Sequence, residues 1–388
     1  MNTITEKKFN RTYGLDEIAL VPSDITLDYD LVDISTTIAG IKMDLPVFAS
    51  AMDSVVSPKT ASVIGKHGGI GVLNLEGVQT RYEDPTEILK QISSVNKKDY
   101  VSLMQEIYQR HDVKQELIEK RIKEIKENNI PVFVSCTPQR ANEIGPIAAA
   151  AGADVIVIQS TVVSNKYKSK DPERNLDLKE FCKKMPIPVM IGNTTTFEVS
   201  LDLMKTGIQG LFVGIGPGAA CTTRGVLGIG VPMASAITQV AKARDQYKNE
   251  SGNYIPIIAD GGIVNSGDIC KAIACGADAV MIGSPFAKAE EAPGNGFHWG
   301  MATPNSVLPR GARINVGCTG TLEQILIGPS NTDDGSQNLT GAIKTCFATL
   351  GAEDIKAMHE EIEVILAPSL LTEGKLYQKA QDLGMYKQ

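Results

Sequence analysis

One cysteine, Cys221, lies in a glycine-rich segment, residues 214–224, directly after the apolar run 210–213. The reactive form of cysteine is the thiolate, and most free thiols are protonated at neutral pH. Backbone N–H groups of a glycine turn, and the N-terminus of a helix that follows it, stabilise negative charge at this point. Arg224 adds a cation three residues later. The pattern predicts a nucleophile at Cys221; a small buried apolar side chain is the alternative.

Two other glycine-containing segments have the residue types of a phosphate site. Residues 260–262 are Asp-Gly-Gly and end one apolar run, and residues 283–284 are Gly-Ser and end the next. Glycines let backbone N–H groups approach a phosphate closely, Ser284 adds a hydroxyl, and Asp260 can accept hydrogen bonds from a ribose diol. Glycines at strand ends are more often plain turns. The prediction of a nucleotide site therefore depends on a fold that brings these segments close to Cys221.

The composition limits the classes of protein to which the chain can belong. Its 388 residues, 43% hydrophobic and 21% charged, are typical of a globular protein. A formal net charge of -7 without a basic cluster argues against a nucleic-acid partner. No apolar run approaches the ~20 residues of a membrane span, and no signal peptide is recognisable, so a cytoplasmic protein without membrane contacts is expected. Seven cysteines without CxxC spacing predict neither a disulfide framework nor a zinc site.

Eight short apolar runs predict the strands of the fold. They are apolar nearly throughout, which is typical of parallel strands buried on both faces. Helical stretches separate them, among them residues 112–128 and a capped helix that starts at Ser266. Strand and helix repeated eight times predict a (β/α)8 TIM barrel, with a doubly wound open sheet as the alternative. The runs are residues 45–50, 69–74, 130–136, 154–160, 188–193, 210–216, 256–262 and 279–285.

A barrel would collect the three candidate segments at one end. In this fold the chemistry lies on the loops that leave the C-terminal ends of the strands, and phosphate often binds after the seventh and eighth. Cys221 follows the sixth run, and residues 260–262 and 283–284 end the seventh and eighth. The barrel thus predicts a single site that contains a nucleophile and a phosphate-binding region.

Several long motifs, in the same order along the chain, resemble those of one family. They are residues 13–22 (YGLDEIALVP), 45–55 (LPVFASAMDSV), 68–71 (GGIG), 214–224, 259–263 (ADGGI) and 283–294 (GSPFAKAEEAPG). Together they are similar to the IMP dehydrogenase and GMP reductase family, and the last two are more similar to the dehydrogenase. The resemblance covers residues 13–351. It implies a (β/α)8 barrel with a mobile flap after the eighth strand.

For a dehydrogenase, the resemblance implies that Cys221 attacks C2 of IMP, that a hydride passes from C2 to NAD, and that water cleaves the thioimidate to give XMP. Thr223 matches the threonine that helps to handle the attacking water. Two alternatives stay open. One is an NADPH-dependent GMP reductase, which uses the same cysteine, and the other is a nucleotide-binding paralogue with weak catalysis. Relatives assemble as tetramers or octamers, so a homo-oligomer is expected.

The resemblance also implies which residues bind the ligands. The phosphate, ribose and base of the substrate are assigned to Ser50, Met52, Gly218, Asp260, Gly262, Gly283, Ser284, Gly300 and Met301. The cofactor is assigned to Gln159, Ser160, Asn193 and Gly214. A monovalent cation, K+, is assigned to the backbone carbonyls of Gly216, Gly218 and Cys221. His298 falls where the family has a tyrosine near the phosphate.

The chain departs from the family's pattern in several places, and three of them concern the domain organisation, the cofactor and the flap. No CBS insertion is expected, because residues 75–129 are predicted to be a helical connector, and residues 1–388 are predicted to form one catalytic domain. Gln159 replaces an aspartate that contacts the cofactor ribose. The flap region, residues 287–320, lacks the Arg-Tyr pair that activates water, and Arg310 and Arg313 are the candidates for that role. Arginine is a poor base in water, so exposed flap charges are the alternative.

Overall fold

The computed structural model describes residues 9–166, 175–300, 312–367, 375–381 and 383–384, so the predictions for Met301 and Arg310 lie outside the described residues. The strands are β1 (Ile18–Leu20), β2 (Thr36–Ile38), β3 (Ile41–Met43), β4 (Val47–Ala49), β5 (Ile70–Asn74), β6 (Phe133–Cys136), β7 (Val155–Gln159), β8 (Val189–Thr194), β9 (Gly210–Val213), β10 (Ile257–Asp260), β11 (Ala279–Ile282), β12 (Phe297–Trp299), β13 (Arg313–Asn315) and β14 (Val364–Leu366). The α-helices are α1 (Pro58–Lys66), α2 (Pro85–Ser94), α3 (Tyr100–Arg110), α4 (Gln115–Lys126), α5 (Ala141–Ala150), α6 (Leu178–Lys184), α7 (Phe197–Met204), α8 (Thr223–Leu227), α9 (Met233–Ser251), α10 (Ser266–Ala274), α11 (Ser284–Ala287), α12 (Leu322–Leu326), α13 (Leu339–Leu350), α14 (Ile355–Glu360) and α15 (Leu376–Ala380). Short 3-10 helices cover Leu15–Glu17, Tyr29–Leu31 and Val78–Thr80.

Eight strands form a closed parallel barrel in the order β4-β5-β6-β7-β8-β9-β10-β11, and β11 pairs with β4 to close it. Each strand overlaps one of the eight predicted runs, and all their residues are buried except the last residue of β10. The strands are apolar throughout because one face packs into the barrel and the other against the helices. The (β/α)8 prediction is confirmed, and the open sheet is excluded.

The helices around the barrel follow the predicted amphipathic patterns. Helix α4 lies within the predicted range 112–128 and buries Leu117, Ile118, Ile122 and Ile125. Helix α10 begins at Ser266 as predicted, but its N-cap is the preceding residue, Asn265, whose side chain accepts the Asp268 N–H. None of the helices in the described ranges is long and apolar enough to cross a membrane.

The barrel interior is filled at the N-terminal ends of the strands. The ring of Phe48 makes edge contacts with the rings of Phe133 and Phe212, with centroids 5.6 and 6.1 Å apart. The antiparallel hairpin of β2 and β3, which the sequence did not predict, adds Ile38 and Met43 to this cluster, beside the first residues of β5, β6, β7 and β11. Because this end is filled, a ligand has room at the C-terminal ends of the strands.

A buried ion pair stabilises the N-terminal end of β11. Asp278 accepts hydrogen bonds from Arg244 Nη1 at 3.3 Å, the Tyr254 hydroxyl at 2.5 Å and the Ile257 N–H at 2.8 Å. The two charged residues are 5% and 4% exposed. Removing one partner of such a pair leaves a buried charge without compensation, which costs several kcal/mol.

Asp278→Asn is therefore expected to lower the free energy of unfolding by about 3 kcal/mol, measured by denaturant titration. Asp245→Asn is the matched control, because Asp245 also contacts Arg244, at 2.9 Å, but its side chain is 59% exposed. The control is expected to cost less than about 1 kcal/mol. Equal losses in the two variants would show that burial of the pair does not matter.

Candidate functional site

Four side chains predicted to be functional lie at the C-terminal end of the barrel. Gln159 is the last residue of β7, Asn193 lies near the end of β8, and Asp260 is the last residue of β10. Cys221 lies in the loop between β9 and α8. Gln159 and Asp260 are 101 positions apart in the chain and share a hydrogen bond. The barrel therefore brings together residues that the sequence could only place on separate loops.

The loop that carries Cys221 presents its thiol to solvent. Cys221 is exposed, and its backbone N–H donates to the Gly218 carbonyl at 2.9 Å. Its Sγ lies 3.2 Å from Oγ1 of Thr223, which is fully buried at the first position of α8. The accessible sulfur thus has a hydroxyl neighbour that the core holds in place. Burial of Cys221 as an apolar side chain, the alternative interpretation, is wrong.

The predicted cation beside Cys221 is directed elsewhere. Arg224 donates through Nη2 to the Val231 carbonyl at 3.1 Å, and its side chain covers Gly216 and Gly230. Its charge therefore supports the loop after α8. Local sequence spacing could not show this, because the acceptor is a backbone carbonyl.

The cysteine loop and the Asp-Gly-Gly loop are in direct contact. Gly214 has φ +143, and a Cβ there would collide with the Asp260 carbonyl oxygen. Gly262 has φ +72, and a Cβ there would lie 2.9 Å from Cβ of Pro217. Both positions need glycine because the two loops approach each other too closely for a side chain, in a conformation that other residues rarely adopt. The nucleophile and the predicted ribose acceptor consequently share one rim of the site.

Asp260 is held by two amide side chains. Its Oδ2 accepts hydrogen bonds from Asn193 Nδ2 at 2.7 Å and Gln159 Nε2 at 2.9 Å. Asn193 Nδ2 also donates to the Gly214 carbonyl at 2.9 Å, which ties this network to the cysteine loop. Burial raises the pKa of Asp260 to about 6, against the two amide donors, which lower it. Both described bonds use Oδ2, so Oδ1 is available to a ligand.

Gln159 has an unused acceptor in this network. The residue is 6% exposed, and its Oε1 has no hydrogen-bond partner among the residues that the structure describes. A buried carbonyl oxygen without a donor costs free energy, so a bound ligand with a hydroxyl or amide N–H is its natural partner. Ser160, the next residue, uses its backbone N–H and carbonyl to bond β8.

Other predicted substrate residues, among them the predicted phosphate segment 283–284, meet on the other side of the barrel mouth. Ser50 follows β4, and its N–H donates to the Ile282 carbonyl at 3.0 Å, while Met52 N–H donates to the Ser50 carbonyl at 2.7 Å. A Cβ on Gly283 would lie 3.5 Å from Oγ of Ser50. Ser284 begins α11 directly after Gly283. These residues form one glycine- and hydroxyl-containing end of the site.

His298 packs on this end as a neutral side chain. It is 2% exposed, and its Cε1 would lie 2.8 Å from a Cβ on Gly283. Burial lowers the pKa of His298 to about 4, so the imidazole is uncharged at neutral pH. Its Nδ1 is buried and has no hydrogen-bond partner in the described part of the chain.

The strand order separates these two ends of the site. In the eight-stranded ring, β11 and β4 lie opposite β7 and β8. Ser50 and Gly283 therefore face Gln159 and Asn193 across the mouth, and Cys221 and Asp260 follow the two strands between β8 and β11. A ligand whose phosphate lies at the end formed by Ser50 and Gly283 therefore extends toward the side-chain amides of Gln159 and Asn193.

The flap region is described only at its two ends. Strands β12 and β13 pair, and Trp299 is opposite Arg313. Gly300 lies next to the cysteine loop, since a Cβ there would be 3.6 Å from the Ala220 carbonyl oxygen. Arg313 donates to the carbonyls of Ile92, Ser93 and Val95 at the end of α2. The structure therefore describes Arg313 in contact with α2 and describes no contact between it and Cys221.

The cation assignment to Gly216, Gly218 and Cys221 stays a prediction. The Gly218 carbonyl already accepts the Cys221 N–H, and a carbonyl oxygen has a second lone pair for another partner. In the described part of the chain, no group of three or more His, Cys, Asp or Glu side chains could hold a metal ion.

Comparisons with known proteins agree with this geometry. Residues 12–375 match the IMP dehydrogenase / GMP reductase domain. An uncharacterized oxidoreductase of Mycolicibacterium smegmatis is 39% identical over 355 residues, which cover 89% of this chain and 94% of the relative. The inosine-5'-monophosphate dehydrogenase of Cryptosporidium parvum is 28% identical over 425 residues, which cover 98% of both chains.

A solved structure has the same fold. The crystal structure of an IMP dehydrogenase/GMP reductase-like protein from Corynebacterium glutamicum superposes with a TM-score of 0.87 at 36% identity, and covers 94% of this chain and 97% of that chain. The domain match alone spans more than half of the sequence. This chain is therefore an oxidoreductase that belongs to the IMP dehydrogenase / GMP reductase family.

Proposed function

We propose that this oxidoreductase converts IMP to XMP with NAD, through a covalent bond between Cys221 and C2 of the purine. The observation that carries the proposal is the position of the thiol. It is exposed, lies 3.2 Å from the buried hydroxyl of Thr223, and sits on a loop that touches the loop of Asp260. A nucleophile beside a carboxylate that can bind a ribose suits a nucleotide whose base is the reacting part.

The proposed reaction has two balanced steps. In the first, the Cys221 thiolate forms a bond to C2 of the hypoxanthine ring, and C2 loses its hydrogen as a hydride. NAD supplies the oxidising power, since its nicotinamide ring accepts that hydride. In the second, water adds to C2 of the thioimidate, the carbon–sulfur bond breaks, and the thiol is regenerated as XMP leaves. We assign the handling of that water to Thr223, whose hydroxyl lies 3.2 Å from the sulfur.

The other residues orient the nucleotide. In this proposal Oδ1 of Asp260 accepts hydrogen bonds from the ribose diol, and the loops of Ser50 and Gly283 hold the phosphate. The phosphate end lies across the barrel mouth from β7 and β8. The purine consequently lies over the middle of the mouth, where Cys221 reaches one of its faces. Orientation of this kind removes much of the entropic barrier to attack.

The residues at the end of β7 fit a second ligand that carries hydroxyl or amide donors. The buried Oε1 of Gln159 needs a donor, and both NAD ribose hydroxyls and the nicotinamide carboxamide provide one. Asn193 and Ser160 lie beside it at the same rim. We therefore propose that Gln159, Ser160, Asn193 and Gly214 form the NAD side of the site.

Gln159→Met is expected to raise KM for NAD about 5- to 10-fold, because it removes the acceptor Oε1 that is proposed to bind NAD and keeps the side-chain volume. KM for IMP is expected to rise less, because the substitution also removes the Nε2 donor to the Asp260 carboxylate but Asn193 still holds it. Initial rates at varied NAD and at varied IMP separate the two constants. A rise confined to KM for IMP would indicate that Gln159 contacts the substrate and not NAD.

The proposal is tested by comparing two reactions under the same conditions. IMP with NAD is expected to give an increase in the absorbance of reduced nicotinamide and to produce XMP, identified by chromatography. GMP with NADPH is expected to give a much slower decrease. Tight binding of IMP without production of XMP would instead indicate a nucleotide-binding protein that has lost turnover.

GMP reduction is the second candidate, and the placement of Arg313 favours it. In this reaction Cys221 displaces ammonia from C2 of GMP, and a hydride from NADPH then reduces C2 and releases the thiol, giving IMP. No water needs activation. Arg313 is bound to the end of α2 and is not in a described position to activate water, which removes one of the two arginines proposed for the dehydrogenase.

A further inference from the structure

Trp299, the single tryptophan of the chain, belongs to an apolar cluster whose other fully buried members come from the connector between β5 and β6. It is 1% exposed and packs with buried connector side chains such as Ile92 and Met104. Its indole Nε1 donates to the Tyr108 hydroxyl at 3.3 Å, and that hydroxyl donates to Asp53 Oδ2 at 2.5 Å. Burial and the Asp53 carboxylate raise the pKa of Tyr108, so its hydroxyl stays a donor.

Arg313, opposite Trp299 in the β12–β13 pair, makes a second attachment to the same connector. Its guanidinium donates to the carbonyls of Ile92, Ser93 and Val95, the last at 2.7 Å. The carbonyls at a helix C-terminus lack partners within the helix and carry partial negative charge, which a cation satisfies. The same guanidinium lies over the Tyr100 ring, 5.1 Å from its centroid.

The neighbours of these two residues connect the attachment to the site. Gly300, which follows Trp299, lies beside Ala220, the residue before Cys221. The Ser54 hydroxyl is 3.3 Å from both the backbone N and the carbonyl O of Trp299, and Ser54 lies in the loop between β4 and α1, which begins at Ser50. Trp299 thus contacts the connector and, through Ser54, the loop that begins at Ser50. It also directly precedes Gly300, which lies beside the cysteine loop.

We propose that Arg313 and Trp299 are positioning residues, which anchor β12 and β13 on helices α2 and α3 and thereby hold Gly300 against the cysteine loop. In this account Arg313 takes no proton from water. Burial lowers the pKa of Arg313, but its three carbonyl acceptors and the rings of Tyr100 and Phe297 favour the guanidinium cation and occupy it away from water, the opposite of what a base requires. The connector consequently contributes to the site without touching a ligand. The effect on turnover rests on the proposed function, and the anchor itself does not.

The sole tryptophan makes the anchor measurable without any nucleotide. Arg313→Ala and Tyr100→Leu, which remove the cation and one of its supports, are both expected to shift the Trp299 emission to longer wavelength. Acrylamide quenching of that emission is expected to increase several-fold in both variants. Alkylation of Cys221 by iodoacetamide reports on the cysteine loop, and its rate is expected to change in the same variants. Arg110→Ala is the matched control, since Arg110 is an exposed arginine on α3, and all three readouts should stay at wild-type values.

Turnover then separates a positioning role from a catalytic one. Arg313→Ala and Tyr100→Leu are each expected to lower kcat about 10- to 100-fold, the effect of displacing a reacting group by about 1 Å. Their effects are expected to be less than additive in the double variant, because both remove the same anchor. Arg313→Lys, which keeps the charge but loses the planar fork, should fall between wild type and Arg313→Ala. Thermal unfolding establishes that each variant is folded.

Two results would overturn the proposal. One is an unchanged Trp299 emission in Arg313→Ala, which would show that the arginine does not hold β12. The other is full turnover in Tyr100→Leu together with lost turnover in Arg313→Ala, which would place Arg313 in the chemistry. If the wild-type protein turns over neither IMP nor GMP, the proposed function fails, and the fluorescence and alkylation results still decide on the anchor.

Discussion

Cys221→Ser is expected to lower kcat at least about 1,000-fold while the barrel stays folded, because a serine hydroxyl ionises far less readily than a thiol and is a weak nucleophile without a base. The side chain is exposed, so the substitution removes little packing. Production of reduced nicotinamide from IMP and NAD measures the loss. Binding of IMP is expected to persist, since the phosphate and ribose contacts remain.

Cys318→Ser is the matched control for this substitution. Cys318 is also exposed, and it lies outside the loop of β9. It should keep the wild-type rate. A Cys221→Ser variant with a rate close to that of the control would remove the covalent mechanism from both the dehydrogenase and the reductase proposals.

Asp260→Asn is expected to lower kcat/KM for IMP about 100- to 1,000-fold. The two hydrogen bonds from the ribose diol would lose their charge assistance, which costs about 1.4–2 kcal/mol for each bond. The amides of Gln159 and Asn193 would face an amide in place of a carboxylate, which weakens their hold on this side chain. Steady-state rates at varied IMP measure the change, and KM for NAD should move less.

The pH dependence gives an independent test of the same residue. Burial raises the pKa of Asp260 to about 6 in the free protein, so the ionised form dominates only above that pH. If the ribose binds to the carboxylate, kcat/KM for IMP rises as the pH increases through about 6 and then levels off. Asp260→Asn should abolish this rise. A wild-type profile that is flat from pH 5 to pH 7, roughly a unit on each side, would exclude the carboxylate as the ribose acceptor.

The barrel could be predicted because its strands are marked locally. A strand buried on both faces is apolar throughout, and eight such runs separated by amphipathic helices leave few other folds. The pairing of β1 with β14 has no such sequence pattern. Both strands have only three residues and lie at opposite ends of the chain, and Ile18 pairs with Leu366 through backbone hydrogen bonds. The hairpin of β2 and β3 is equally short.

The site also contains residues that could be predicted from the sequence and residues that could not. Cys221 and Asp260 could be predicted from their residue types in glycine-containing segments that follow apolar runs, whereas Gln159 and Asn193 were implied only by the resemblance to the family; the barrel collects all four at one end. Arg313 could not be placed, because its partners are carbonyls 218 to 221 positions earlier, and backbone atoms leave no trace in a sequence. The hydrogen bond from the Tyr108 hydroxyl to Asp53 could not be predicted for a related reason. The partner of a tyrosine on a helix depends on where that helix packs, which the local sequence does not show.

The most direct test is mass spectrometry of the protein quenched with acid during turnover of IMP and NAD. A peptide containing Cys221 should carry the added mass of a purine nucleotide, and the adduct should disappear when the reaction is allowed to finish. GMP with NADPH should give an adduct on the same peptide if the protein is a reductase. Turnover of either substrate with no nucleotide on Cys221, or with the adduct on another residue, would contradict the account.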